Sequence, residues 1–298
     1  MADTHFKYTE LESIIAEHAL LIVGYDGLRV YPGGTGVFIA PNLLMTAKHV
    51  IEECWNSFGD GHPFSGSKKL HGQFHILAVQ YPGDRSEPAV WSVRTGWAAP
   101  STDIMFLDLV PFCEQARAYE WKGTVVLNVL PPSVGDAITG FGYPSSSAEI
   151  LHGEPSQIRF VLQPHTTVGI VTQVFEERRD RALLTFPCFE LNARFEGGMS
   201  GGPLFNSAGQ VCGIICASLQ QADQQASYVS YGATLWPAMG TNIEFQGPGL
   251  ICKGPYPVAE LSLIGVMHVI GWEEVVKRVV KELDYEGREW LRLRPLVS

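Results

Sequence analysis

From Ala19 to about Val110 the chain alternates short runs of Val, Ile, Leu and Phe with breaks at Gly, Pro and Asn, the pattern of strands joined by turns. Within it, Leu43–Met45 reads as a strand after a turn at Pro41-Asn42, and Ala47 to Glu53 as a short helical turn. Thr102–Val110 is apolar apart from its two acids, as a largely buried strand would be. Residues 56–73 are rich in Gly, Ser, Lys and His and read as a loop, and Ala118–Leu130 bridges to a second set of strands. That set opens at Val134–Pro144, passes an exposed turn at Ser145–Glu154, and continues through Ile158–Leu162, Val168–Phe175 and Ala182–Phe186. Regular turn signals between short strands predict an all-β barrel or sandwich.

The two ends differ. Thr9-Glu10-Leu11-Glu12 has the form of a capping box, predicting a short helix with Leu11, Ile14 and Ile15 on one face. After residue 240 the apolar period becomes helical. Val258–Ile270, interrupted by Gly265, and Trp272–Leu283, with Val275, Val276, Val279, Val280 and Leu283 on one face, predict two helices docked on the body or on a partner.

Length and charge bound the function. The 298 residues, 46% apolar, suffice for one or two domains. An excess of 31 acidic over 21 basic residues speaks against nonspecific nucleic-acid binding, which needs Lys and Arg on phosphates. Arg178-Arg179-Asp180-Arg181 follows Glu176-Glu177 and reads as a solvated hairpin tip. The N-terminal residues lack the basic and apolar regions of a secretory signal, and no apolar run reaches membrane-spanning length. Six cysteines form no CxxC pair, and Cys212 and Cys216 alternate with apolar residues as core positions would. Free thiols and a cytoplasmic location are the simplest expectation. His71 and His75 can share a strand face, but without companion ligands neither a metal nor a cofactor is expected.

The candidate chemistry lies in Gly197-Gly198-Met199-Ser200-Gly201-Gly202-Pro203-Leu204. Glycines on both sides of one serine allow backbone conformations that expose its hydroxyl and aim amide N–H groups at one point. A serine nucleophile requires both, together with a base. His49, just past the strand ending near Met45, suits the base, and Asp103, at the start of an apolar strand, suits the carboxylate that fixes its tautomer. Asp108 falls on the opposite face and is expected to meet solvent. Gly198-x-Ser200-x-Gly202 also fits a nucleophile elbow. That motif demands a helix directly after the serine and a downstream histidine. Here Gly-Gly-Pro follows, and only His268 lies downstream, in a different segment.

Thr46-Ala47-Lys48-His49, Asp103-Ile104-Met105-Phe106-Leu107 and Gly198-Met199-Ser200-Gly201-Gly202-Pro203 together resemble the three signatures of trypsin-like (chymotrypsin-fold) serine proteases, in that family's order. Gly34–Ile39 and Val211–Ile215 resemble the strands flanking the first and last signatures, and the likeness is nearest the bacterial HtrA-like branch, without room for a PDZ domain. The resemblance implies two six-stranded antiparallel β-barrels at residues 19–120 and 121–240, between an N-terminal helix at 1–18 and a helical extension at 241–298. It implies a serine endopeptidase acting on proteins or peptides through His49, Asp103 and Ser200, with the N–H groups of Gly198 and Ser200 as oxyanion donors. The alternative is a latent or regulatory protein on a protease fold that binds a partner, with the C-terminal helices as a contact surface. Counting back from Ser200 by analogy puts Arg194 at the floor of a substrate pocket, where a cation favours acidic side chains; in a shifted register Phe195 or Glu196 fills it. Met199 stands where digestive relatives carry the aspartate that pairs with a new N-terminus, so activation by that route is not expected.

Overall fold

The structure, a computed structural model, describes residues 6–8, 14–58, 68–69, 74–81, 87–122, 125–151, 157–220, 228–247, 254–283 and 289–293. Two closed antiparallel barrels of six strands account for most of it. In the first, neighbouring strands run Ala89–Ala98, His75–Gln80, Ala19–Tyr25, Val30–Ala40, Leu43–Ala47 and Ile104–Pro111, which returns to pair with Ala89–Ala98. In the second the order is Pro203–Phe205, Ala137–Gly142, His165–Phe175, Cys188–Leu191, Tyr228–Thr234 and Val211–Gln220, which closes on Pro203–Phe205. Closure leaves neither barrel with an open edge. This is the chymotrypsin-like, all-β architecture expected above.

The strands are what their residues dictate. Leu43–Ala47 is buried at all five positions, and Asn42 makes the turn before it at φ 62°, a left-handed conformation that Asn tolerates. Leu20, Ile22, Val37, Ile39 and Met45 fill the first barrel, and Ile138, Val171, Phe189, Leu191, Leu204 and Ile215 the second. The buried rings of Phe38 and Trp91 meet edge to face at 5.6 Å on the first barrel.

Several expectations change. Asp108 is buried, not solvent-facing. The whole span Ile104–Leu109 is covered on both faces, and Arg94 on the neighbouring strand donates from Nε to Asp108 Oδ2 at 2.8 Å. The exposed turn at Ser145–Glu154 contains a strand, Ser147–Leu151, paired with Gln157–Val161. Ala148, Ile158 and Phe160 of this hairpin pack inward against a cluster holding Leu21, Val23 and Tyr143. Ala182–Phe186 is no strand, because Asp180 Oδ1 accepts the N–H groups of Ala182 (2.7 Å) and Leu183 (2.6 Å) and turns the chain there. The strand forms later, at Cys188–Leu191. The basic tip is not merely solvated either: Arg179 pairs with Asp180 and lies 4.7 Å above the Tyr231 ring.

At the N-terminus Ile14–His18 is helical, and Phe6–Tyr8 pairs with His165–Thr167 of the second barrel. The capping-box residues Thr9–Glu12 lie outside the described residues, as does most of the 56–73 loop apart from the helix end and Lys68–Lys69. In the C-terminal extension both expected helices begin and then stop early, as Glu260–Leu263 and Trp272–Arg278. The first ends in a Schellman turn at Gly265 (φ 74°), where Gly265 N–H reaches Ser262 O and Val266 N–H reaches Leu261 O. Beyond it His268–Ile270 is a strand, lying parallel to Val126–Asn128 beside the second barrel. The second helix gives way at the β-branched pair Val279-Val280 to a hairpin, Val279–Leu283 with Glu289–Leu293. Val258, Leu261, Met267 and Val275 join the main apolar core.

Among the described residues five cysteines are free, and Cys212 and Cys216 are buried in the core. No group of three metal-ligating side chains is found there; His71 lies outside them. No described helix is long and apolar enough to cross a membrane.

Candidate active site

Ala47 ends a buried strand and Lys48 begins a helix, Lys48–Asn56, that buries Val50, Ile51 and Cys54. His49, in the first turn, is thereby fixed by packing on both sides. Asp103 sits immediately before Ile104–Pro111, the strand paired with Leu43–Ala47, so the two residues arrive together by strand register. Three hydrogen bonds then lock them. Asp103 O accepts Lys48 N–H at 2.9 Å, Asp103 Oδ1 accepts His49 N–H at 3.1 Å, and Asp103 Oδ2 lies 2.6 Å from His49 Nδ1. With Nδ1–H given to Asp103, neutral His49 carries its lone pair on Nε2. Burial pulls the His49 pKa down, but the hydrogen bond and charge of Asp103, with the charges of Glu53 and Glu52, hold it above its ordinary value.

Ser200 stands on a turn built by its glycines. Gly198 (φ 92°) and Gly201 (φ 81°) are in the left-handed region. Met199 N–H reaches Glu196 O, Gly202 N–H reaches Met199 O, and Gly201 N–H with Ile215 O ties the turn to its neighbour strand. The Met199 side chain, fully buried, plugs into the second barrel's core beside Ile138, Phe195 and Ile215. Among the described residues the N–H groups of Gly198 and Ser200 have no hydrogen-bond acceptor.

The turn leans on the first barrel. Thr35 N–H donates to Ser200 O at 2.8 Å, and Thr35 Oγ1 donates to Gly198 O at 2.8 Å. A Cβ on Gly34 would lie 2.7 Å from Ser200 O and 2.8 Å from a methyl of Val50, the residue after His49. A Cβ on Gly201 would collide with Thr35 O and Thr46 Oγ1. The serine turn and the start of the histidine helix are thus separated by a single glycine-thickness of backbone. No hydrogen bond joins the Ser200 hydroxyl to His49 among the described residues.

A cleft of about 330 Å³ opens beside Ser200, lined by Arg194, Phe195, Glu196, Gly197, Ile215, Ala217, Ser218 and Tyr228. Arg194 does lie in it. Its charge is already met: Nε is 2.5 Å from Glu196 Oε1, and the guanidinium sits 4.5 Å over the Tyr228 ring. Phe195 is buried, its N–H given to Ser230 Oγ at 3.2 Å. Sequence reasoning named Arg194, Phe195 and Glu196 separately but not the Arg194–Glu196 pair, and it missed Tyr228 and Thr35. Only Thr35 had a signal, a hydroxyl-bearing residue between glycines in Gly34-Thr35-Gly36.

A family model described as the trypsin-like peptidase domain matches residues 34–214, more than half of the chain. The chain belongs to that family. No curated protein sequence matches it. Among solved structures it is similar to the active form of the Rv3671c protease from M. tuberculosis, at 21% identity and TM-score 0.44, covering 87% of this chain and 85% of that one. It is also similar to Deg5, at 16% identity and TM-score 0.46, covering 68% of this chain and 80% of the other.

Proposed function

We propose that the protein is a serine endopeptidase that hydrolyses peptide bonds through an acyl-enzyme formed on Ser200. The observation that carries this reading is the double hold of Asp103 on His49, which leaves the neutral ring's lone pair on Nε2, on a helix start packed beside a serine turn that Thr35 and Ile215 tie in place. His49 takes the Ser200 proton as the hydroxyl attacks the scissile carbonyl, and the tetrahedral oxyanion receives the N–H groups of Gly198 and Ser200. His49 then protonates the leaving amine, and water, activated by the same imidazole, releases the acyl group. Asp103 stabilises the imidazolium in both halves. Each amide donor is worth on the order of 100-fold in rate.

The Asp103 hydrogen bond and charge that raise the His49 pKa also favour the imidazolium formed when His49 takes the serine proton, which supports this assignment. The Arg194–Glu196 pair balances charge in the cleft, which supports a neutral side chain there in preference to an acidic one. A second reading, a latent protease-fold protein that binds a partner, takes its support from the missing Ser200–His49 hydrogen bond, although unliganded sites often tighten only with substrate bound.

The two are separated by incubating a proteome with wild-type protein or Ser200→Ala and sequencing the new termini. Endopeptidase activity gives termini sharing a residue preference with wild type alone; identical termini in both samples contradict it.

A further inference from the structure

Thr35 is fully buried, and each of its polar atoms has a partner. Its N–H goes to Ser200 O (2.8 Å), its carbonyl accepts Thr46 Oγ1 (2.7 Å), and its hydroxyl donates to Gly198 O (2.8 Å) while accepting Tyr143 N–H (3.1 Å). One side chain of the first barrel therefore touches two segments of the second. Tyr143, itself buried, continues the link: its hydroxyl donates to Ala19 O at 3.0 Å, where the first barrel's opening strand begins.

The two Thr35 bonds to the serine turn fall on Gly198 O and Ser200 O, either side of Met199. Gly198 O fixes the plane of the Gly198–Met199 peptide, and Ser200 O fixes the one after the serine. The peptide between them, which carries Ser200 N–H, is flanked by these two fixed planes and has its own carbonyl, Met199 O, on Gly202 N–H, and Gly198, at φ 92°, is held in a conformation its backbone would otherwise leave easily. The Met199 side chain anchors the same turn from below through apolar burial, while its backbone ties the turn to itself, N–H on Glu196 O and carbonyl on Gly202 N–H.

Resting on the serine-peptidase reading, we propose that Thr35 is a positioning residue for the oxyanion donors. Its hydroxyl, shared between Gly198 and Tyr143, holds the serine turn in the shape that aims the Gly198 and Ser200 N–H groups at one point. Thr35→Val keeps the shape and the backbone bond to Ser200 but removes the hydroxyl. Gly198 O and Tyr143 N–H then lose their buried partner, and the Gly198–Met199 peptide is held at its N–H end alone, by Met199 N–H on Glu196 O.

The test is the rate of fluorophosphonate labelling, mapped to Ser200 by mass spectrometry, across pH for wild type, Thr35→Val and Thr35→Ser. Thr35→Val is expected to lower the plateau rate by about 10- to 100-fold, the scale of a small misplacement of reacting groups. The pH midpoint should stay where His49 and Asp103 set it. Thr35→Ser, which restores the hydroxyl, should recover to within about threefold. A purely structural role would lower the melting temperature of both variants together and leave the plateau of the folded fraction unchanged. If Thr35→Val does not fold, Thr35→Cys, with its weaker donor, replaces it and should fall between wild type and an inactive turn. A Thr35→Val plateau equal to wild type, or Thr35→Ser as slow as Thr35→Val, overturns the inference and leaves the peptidase reading standing. Wild type that does not label at Ser200 overturns both.

Discussion

Asp103 grips His49 with both carboxylate oxygens, Oδ1 on the backbone N–H and Oδ2 on the ring, so that main chain and imidazole are oriented by one group. A ring held only by its side-chain bond can pivot about Cβ; here the helix start that carries the ring is fixed as well.

The first prediction concerns pH. His49 has its folded pKa raised above the ordinary value, so it is protonated, and unable to act as base, up to a higher pH than a free imidazole. Acylation at Ser200 should rise with pH through a midpoint above about 6.5. Asp103→Asn removes the main raising influence. Its midpoint should fall below that of wild type, with a plateau lower by about 10⁴-fold because the wrong tautomer is favoured. Rate–pH profiles of labelling check both signs.

Glu196 should control pocket charge. Glu196→Gln frees the Arg194 cation inside the cleft, and cleavage of matched peptides should shift toward Asp or Glu before the scissile bond by roughly tenfold, about 1.4 kcal/mol. Competition assays with paired acidic and neutral peptides read this directly.

Arg94→Ala should leave the Asp108 carboxylate buried without its partner. Asp108 is 3% exposed, but Arg94 is about half exposed and screened, so the loss should be moderate, about 1–2 kcal/mol. Burial already pushes the Asp108 pKa up, with Arg94 pulling it back. A raised carboxyl favours the fold while protonated and loses that contribution as pH rises. The variant's deficit should therefore be small near pH 3, below the ordinary aspartate value of about 3.9, and grow toward neutrality. Denaturant melts at several pH values measure it.

The C-terminal extension should be part of the fold's stability. Leu261 is fully buried in the main core, and Leu261→Ala should cost about 2–4 kcal/mol by cavity formation. Loss confined to partner capture, with an unchanged melting curve, would contradict this.

The candidate site was legible because its chemistry is written in short local signals: Lys48-His49 after a strand, Asp103 opening another, and Ser200 among glycines. The barrels were legible in the turn spacing, with the family resemblance choosing barrels over a sandwich. What failed depended on partners distant in sequence. Nothing local tells Asp108 that Arg94 arrives from the next strand, so alternation assigned it to solvent. Ala182–Phe186 has a strand's apolar content, and only Asp180 folding back on three amides turns it. Val275 and Val279 share a helical period, yet strand pairing took the chain from Val279 onward. Thr35 shows the same limit, since its hydroxyl acquires meaning from Gly198 and Tyr143 only after both barrels close.

The most direct measurement is the site of fluorophosphonate attachment on the full-length, uncleaved protein. An adduct on Ser200 in wild type, lost in His49→Ala and in Ser200→Ala while all three proteins remain folded, is the predicted result. A folded wild type that carries no adduct, or one that carries it equally without His49, contradicts the account.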